Sequence, residues 1–581
     1  MTYQERLEKI KVLENTWQTA LNQTGVYSLI MQHFYSPLPQ GKKAKKAIVI
    51  GYDGCTCEML NYLDREERGG IKYLLANGGH GVFSYAGGAP YPAPIIQETS
   101  TAPGWCSMLT GSLAANNKVF DNGITKEVDP KTLLIKLVED KAAKSSAFYV
   151  SWEGHFSEDG ATYLEEKRYA REQGLNVTYA CAEEDSGTRE NVLRDLTGGE
   201  CPDFLFCILE YTDHTGHGFD YLPEKPEYMQ AFLSAERTGM DIIDAIRNRP
   251  SLDEEDWLIL ITSDHGGYHC GHGGPTLEER ITYIISNKRI ILQADVLKKL
   301  TFMDNTVETA LPQTCVYGLL ERHFQSPLPA GKKKKKAIVL GYDGCRTDML
   351  FFFDKIERGA AKYLLKKDGH AIFTYAGGTP YPQPIAHETD TGPGWGAILT
   401  GLQPAENGVY YNGAVKDVAP RSSVLAFAED KLVDRSAFYV SWAGHFTAEE
   451  STYRAEKEYA AEKGIPACYV RAENDGGTLA NALHDVQRED CSDYIFTIFE
   501  YPDIYGHGHG FSPGVEEYMN AFRLSEKAGM ALVEAIMSRK TYAEEDWLIL
   551  VTPDHGGIGR GHGGPTPEER ITFIVANKEL L

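Results

Sequence analysis

Nearly every motif in this chain is written twice, at a constant spacing of 290 residues. GYDGC starts at Gly51 and again at Gly341. ETSTAPGW, which contains Thr101, returns as ETDTGPGW with Thr391, and DWLILITSDHGG from Asp256 returns as DWLILVTPDHGG from Asp546. SAFYVSWEGHF and EERITYIISNK recur in the same order. A constant offset means essentially no insertions between the copies, and the period is far too long for a solenoid. The chain is therefore expected to form two whole domains of one kind, residues 1–290 and 291–581. Their join, about residues 289–304, contains LQADVLKKLTFMD, reads as a short helix and resembles the start of the first copy. The repeat also acts as a filter, since a side chain kept at both equivalent positions is the better candidate for shared chemistry.

Three runs rich in β-branched residues recur in each copy: AIVIGYD to Asp53, FLFCILEYTD to Asp213, and WLILITSDH to Asp264 and His265. Continuous apolar runs suit parallel strands covered on both faces. QAFLSAERTGMDIIDAIRNR has helical spacing and supplies a covering helix. The expected fold class is α/β: two tandem doubly wound domains, each a largely parallel sheet flanked by helices. Ligands of such sheets bind beyond the carboxyl ends of the strands, where three aspartates would meet. Their mutual repulsion calls for divalent cations. The lysine runs KKAKK and KKKKK read as a solvated lead-in to the first strand.

Lysine plus arginine total 58 against 82 acids, a net charge of −24. A surface this acidic repels polyanions, which argues against a nucleic-acid partner; a small anionic substrate fits if a metal reverses the field locally. The first residues carry no apolar signal core and no run is long enough to span a bilayer, so a cytoplasmic protein without a membrane partner is expected. Of eleven cysteines only Cys55/Cys345 and Cys201/Cys491 recur, which points to reduced thiols rather than a disulfide framework.

Three recurring histidine pairs sit in the strand-end motifs: His217/His507, His265/His555 and His272/His562. Imidazole with carboxylate and no thiolate suits zinc, with manganese or iron as alternatives. Together these motifs resemble the alkaline phosphatase superfamily, in particular its type I phosphodiesterase/nucleotide pyrophosphatase branch, over nearly the full length of each half. The resemblance implies two metal ions per half. One would be held by Asp53, Asp264, His265 and the nucleophile Thr101, and in the second half by Asp343, Asp554, His555 and Thr391. The other would be held by Asp213, His217 and His272, and by Asp503, His507 and His562.

The resemblance also places the nucleophilic threonine in a T-x-P turn entering a helix, and a phosphate-binding asparagine 21 residues later, here Asn122 and Asn412. It implies in-line displacement through a phosphothreonine intermediate. Trp105 and Trp395, four residues past the threonines, read either as core residues or as platforms for a base or sugar. A cationic clamp has no obvious counterpart, so a diester or nucleotide pyrophosphate is expected over a dianionic monoester. The alternatives are a phosphomonoesterase or phosphomutase of the same superfamily, or a tandem protein with one idle half. The two halves are expected to pack as a pseudo-dimer. TAPGW and TGPGW lack the cysteine or serine a sulfatase would need.

Overall fold

The computed structural model describes residues 2–123, 128, 131–157, 159–290, 296–381, 383, 385–412, 421–448 and 451–580. Its internal contacts divide it at residues 292 and 293 into two compact units. In the first unit the strands are β1 (Leu21–Asn22), β2 (Ala44–Tyr52), β3 (His80–Tyr85), β4 (Ser146–Val150), β5 (Val177–Cys181), β6 (Phe204–Leu209), β7 (Glu255–Thr262) and β8 (Ile281–Ser286). They form one sheet in the order β1-β3-β8-β7-β2-β6-β4-β5. Only β8 runs against its neighbours.

The second unit repeats this with β9 (Leu311–Pro312), β10 (Lys334–Tyr342), β11 (His370–Tyr375), β12 (Ser436–Val440), β13 (Ala467–Arg471), β14 (Tyr494–Phe499), β15 (Glu545–Thr552) and β16 (Ile571–Ala576). Their order is β13-β12-β14-β10-β15-β16-β11-β9. Side chains alternate across a strand, so β10 sends Ile338, Leu340 and Tyr342 into one core and Ala337 and Val339 into another. Burial on both faces explains why these strands read as unbroken apolar runs. Each unit is thus a largely parallel α/β sheet covered by helices, the expected fold class.

The central strand positions the site. β2 lies between β6 and β7 and parallel to both, with Tyr52 opposite Leu209 and Gly51 opposite Thr262. The carboxyl ends of three adjacent strands therefore lie side by side. Two residues beyond β2, Gly54 takes φ +61°, and a Cβ there would stand 2.5 Å from Asp213 Oδ1. Only glycine meets both conditions.

Two expectations need correction. The lysine runs are not simply solvated: Lys46 and Lys336 lie inside the strands and are buried. Lys46 Nζ donates to Asp203 and to the Cys201 carbonyl, each at 2.9 Å, and Lys336 does the same with Asp493 and Cys491. A buried ammonium is tolerable when its donors are satisfied in this way. Asp213 is not at a strand end either. β6 stops at Leu209, and Asp213 lies in the first turn of the helix Tyr211–Phe219.

Of the expected join helix, residues 291–295 lie outside the described residues. Leu297 and Leu300 beyond them are buried in the second core, as their equivalents Leu7 and Ile10 are in the first. No helix among the described residues is long and apolar enough to cross a membrane.

Buried histidines make stability depend on pH. Burial, with Lys288 and Lys45 beside it, lowers His33 to about 3; burial, with Lys578 and Lys335, lowers its counterpart His323 to about 4. An unfolded histidine takes a proton near pH ~6.5. Below that pH the unfolded state binds more protons, so each ring's contribution is present above pH ~6.5 and is lost as pH falls toward the folded values. The slope approaches about 1.4 kcal/mol per pH unit for each. Urea unfolding between neutral pH and the acid limb should show a shallower loss for His33→Gln than for the parent; equal slopes would contradict this.

Candidate active site

Helix α1 (Thr101–Thr110) begins at Thr101 with Ser100 as its N-cap, and is buried along its whole length. This brings the Thr101 hydroxyl to the strand ends, 3.3 Å from Asp53 Oδ1 and 3.3 Å from His265 Nε2. His265 Nε2 is 3.5 Å from Asp53 Oδ1 and 3.4 Å from Asp264 Oδ2. In the second unit α3 (Thr391–Thr400) does the same. Thr391 Oγ1 is 3.4 Å from Asp343 and 3.2 Å from His555, and His555 is 3.6 Å from Asp343 and 3.5 Å from Asp554.

The surroundings fix the direction of each donor. His265 Nδ1 donates to the Gly266 carbonyl at 2.7 Å, which turns the Nε2 lone pair toward the cluster; His555 does likewise with Gly556. Asp264 Oδ1 accepts from the Gly54 amide at 3.3 Å, while its Oδ2 is buried with no hydrogen-bond partner. Asp554 Oδ2 is orphaned in the same way. Trp105 Nε1 donates to Asp53 Oδ2 at 2.7 Å and Trp395 Nε1 to Asp343 Oδ2 at 2.7 Å. Both tryptophans are 0 % exposed. With no face open to a base or sugar they are not stacking platforms: each orients a carboxylate.

A second cluster adjoins the first. His217 follows Asp213 by one turn on helix α2 (Tyr211–Phe219), so both project from one face. His217 Nε2 is 3.4 Å from Asp213 Oδ2, and His272 Nε2 is 3.7 Å from Asp213 Oδ1. His217 Nδ1 donates to the Cys270 carbonyl at 3.0 Å. On α4 (Tyr501–His509), Asp503 and His507 stand 3.5 Å apart, and His562 Nε2 lies 3.3 Å from Asp503 and 3.0 Å from His507 Nε2. The structure thus brings together every predicted aspartate, histidine and threonine of each half.

The electrostatics are those of a cation site. Burial, then Glu210 and Asp213, raise Asp53 well above the usual carboxylate range; burial, then Asp53 and Asp213, raise Asp264. Burial lowers His265 to about 3, so the ring is neutral and its lone pair is available. Asp213 moves the other way: burial raises it, but His217, His265 and His272 bring it below its ordinary value. The residues fit divalent ions. A tetrahedral ion with bonds of about 2.0–2.2 Å sets its ligand atoms roughly 3.3–3.6 Å apart, the range found around Thr101. Asp53, Asp213 and His265, and Asp213, His217 and His272, form groups whose donor atoms lie within 4.8 Å of one another.

The cluster opens into a cavity of about 780 Å³ that Thr101, Asn122, Trp152, Glu183, Glu210 and Tyr211 help to line. No lysine or arginine lines it among the described residues. Asn122 Oδ1 accepts from the Ala102 amide at 2.8 Å, and Asn412 Oδ1 from Gly392 at 2.6 Å. With the carbonyl committed, the amide Nδ2 is the end left for a ligand. Glu210 was missed by sequence reasoning. It follows β6 directly, its Oε1 has no hydrogen-bond partner, and His155 lies 3.5 Å behind it; Glu500 and His445 repeat the pair at 3.4 Å. The recurring E-Y in LEYTD and FEYPD was the available signal.

Among solved structures the chain is similar to murine ectonucleotide pyrophosphatase/phosphodiesterase 5, at 16 % identity over 38 % of this chain and 57 % of that one, with a TM-score of 0.28. It is also similar to Sinorhizobium meliloti phosphonoacetate hydrolase, at 17 % identity over 39 % and 57 %, with a TM-score of 0.26. The chain therefore spans little more than half the length of either. No curated protein sequence matches it. Residues 47–274 match the type I phosphodiesterase/nucleotide pyrophosphatase family. That segment of the first half is what the chain shares with this family.

Proposed function

We propose that each half, residues 1–290 and 291–581, is a two-metal phosphodiesterase domain acting through its own threonine, Thr101 or Thr391. The observation that carries this reading is the Thr101 hydroxyl set 3.3 Å from both Asp53 and His265, with the Asp213, His217 and His272 cluster beside it. Asp53, Asp264, His265 and Thr101 would hold one ion; Asp213, His217 and His272 would hold the other, with zinc the ion favoured by the donor set. When bound, such ions supply the positive charge that makes a threonine hydroxyl acidic and neutralises phosphate oxygens.

The protein's own groups do the rest. Thr101 Oγ1 gives up its proton to solvent and bonds to phosphorus as the bond to the leaving oxygen breaks; that oxygen takes up a proton and departs as the alcohol, leaving a phosphothreonine that still carries the second ester group. Attack of water on that phosphorus breaks the Thr101 Oγ1–P bond, returns a proton to Thr101 Oγ1 and releases the phosphomonoester that keeps the second ester group. The helix N-terminus at Thr101 and the Asn122 amide donate to the non-bridging oxygens. A lining without lysine or arginine favours a singly charged diester over a dianionic monoester. The family match over residues 47–274 supports phosphoester hydrolysis in general; the small diester or nucleotide pyrophosphate is the narrower reading.

Asn122→Ala should lower kcat of the first site by about 10²–10³-fold, as loss of one oxyanion donor does. The measurement is made in a Thr391→Ala background, and an unchanged kcat would remove Asn122 from the site. The reading as a whole is tested by depleting the full chain of metal, restoring zinc or manganese, and comparing bis-p-nitrophenyl phosphate with p-nitrophenyl phosphate. Metal-dependent turnover that favours the diester supports it. A monoester preference would overturn the substrate class, and no turnover with any metal would overturn the activity.

A further inference from the structure

We infer that the two metal centres are unequal and that the second unit holds its ions more tightly, owing chiefly to Asp390. This rests on the metal-binding reading above. The residue before the nucleophile is Ser100 in the first unit and Asp390 in the second. Ser100 Oγ turns away and donates to Glu98 Oε2 at 3.1 Å, and His272 Nδ1 is buried without a hydrogen-bond partner. Asp390 Oδ1 instead stands 2.8 Å from His562 Nδ1. The Asp390 carboxylate also lies with His555 and His562 in a group whose donor atoms fall within 4.8 Å of one another.

A second difference acts in the same direction. In the first unit Tyr221 donates its hydroxyl to Asp213 Oδ1 at 2.6 Å, which occupies a lone pair of a proposed ligand. The equivalent residue is Phe511, and Asp503 Oδ1 is buried with no hydrogen-bond partner. His562 lies nearer its aspartate as well, 3.3 Å against 3.7 Å for His272. The second centre thus combines one more carboxylate with a freer ligand oxygen. Extra negative charge in a low-dielectric site favours a dication. A carboxylate placed behind a ligating imidazole typically changes metal affinity by about 10–100-fold.

Equilibrium dialysis of the metal-depleted full chain against zinc, with the ions counted by elemental analysis, reads this directly. It is run at mildly alkaline pH, where free imidazole is neutral. The parent should show two classes of site, separated by about 10–100-fold. Asp390→Ser should weaken the tight class toward the other, and Ser100→Asp should strengthen the weak class; the second substitution keeps the test decisive should the first impair folding. A single class in the parent, or an unchanged tight class in Asp390→Ser, would overturn the inference alone. Failure to bind any ion would remove it together with the metal reading.

Discussion

Thr101→Ala and Thr391→Ala are each expected to remove about half of the metal-dependent diesterase activity, with the two sites contributing additively. The double substitution should lower it by on the order of 10³–10⁶-fold, the scale on which loss of a nucleophile acts. The hydroxyl has no role in building its helix, because Ser100 is the N-cap and Thr101 the first helical residue. Circular dichroism and thermal unfolding should therefore stay close to the parent while activity collapses. Thr→Ser keeps an oxygen nucleophile and should recover part of the rate. Full loss from one single substitution and none from the other would identify an idle half, and full activity in the double variant would dismiss the threonines.

Arg346→Ala should destabilise the second unit by about 3–5 kcal/mol, the cost of stripping one partner from a buried ion pair. Arg346 is 7 % exposed and Asp348 6 %. The guanidinium binds Asp348 in a fork, Nε to Oδ1 at 3.0 Å and Nη2 to Oδ2 at 2.7 Å, and its Nη1 donates to the Phe511 carbonyl at 2.7 Å. Removing it strips the buried Asp348 carboxylate of its forked guanidinium and the Phe511 carbonyl of a donor. The first unit solves the same problem differently. Thr56 and Glu58 occupy the equivalent positions, and Glu58 takes its partner from Arg6 at 2.8 Å, on the helix Tyr3–Leu7. Burial still holds Glu58 up at about 7 there. Denaturant unfolding checks the prediction: the second unit should lose most of its margin in Arg346→Ala, and a midpoint equal to that of the parent would contradict the ion-pair argument.

Much of the architecture was legible in the sequence because the units are built from buried parallel strands. Such strands must be apolar throughout, and their ends are marked by the first carboxylate that follows. This identified β2 and β7 with Asp53, Asp264 and His265. The same reasoning ran too far along β6, because Glu210 and Tyr211 separate the strand from Asp213, and the apolar run gives no sign that a helix has begun. Glu210 was passed over for that reason. Trp105 was ambiguous because a residue four places beyond Thr101 shares its helix face, and sequence does not say whether that face meets solvent or Asp53. The buried lysines were misread because a charge run gives no hint that Cys201 and Asp203 will satisfy one of its members. The exchange of Ser100 for Asp390 was hidden by the repeat itself, since a filter for shared residues discards differences.

Anomalous diffraction at the zinc edge from crystals of the zinc-loaded chain would settle whether the strand-end clusters are binuclear centres. Each unit should show two peaks, one about 2.0–2.2 Å from Asp53 Oδ1, Asp264 Oδ2 and His265 Nε2 or their equivalents. The other should lie among Asp213, His217 and His272, or Asp503, His507 and His562. Loaded crystals with no peak at either cluster would mean that these buried carboxylates are neutralised by protons, and the proposed chemistry would fall with the ions.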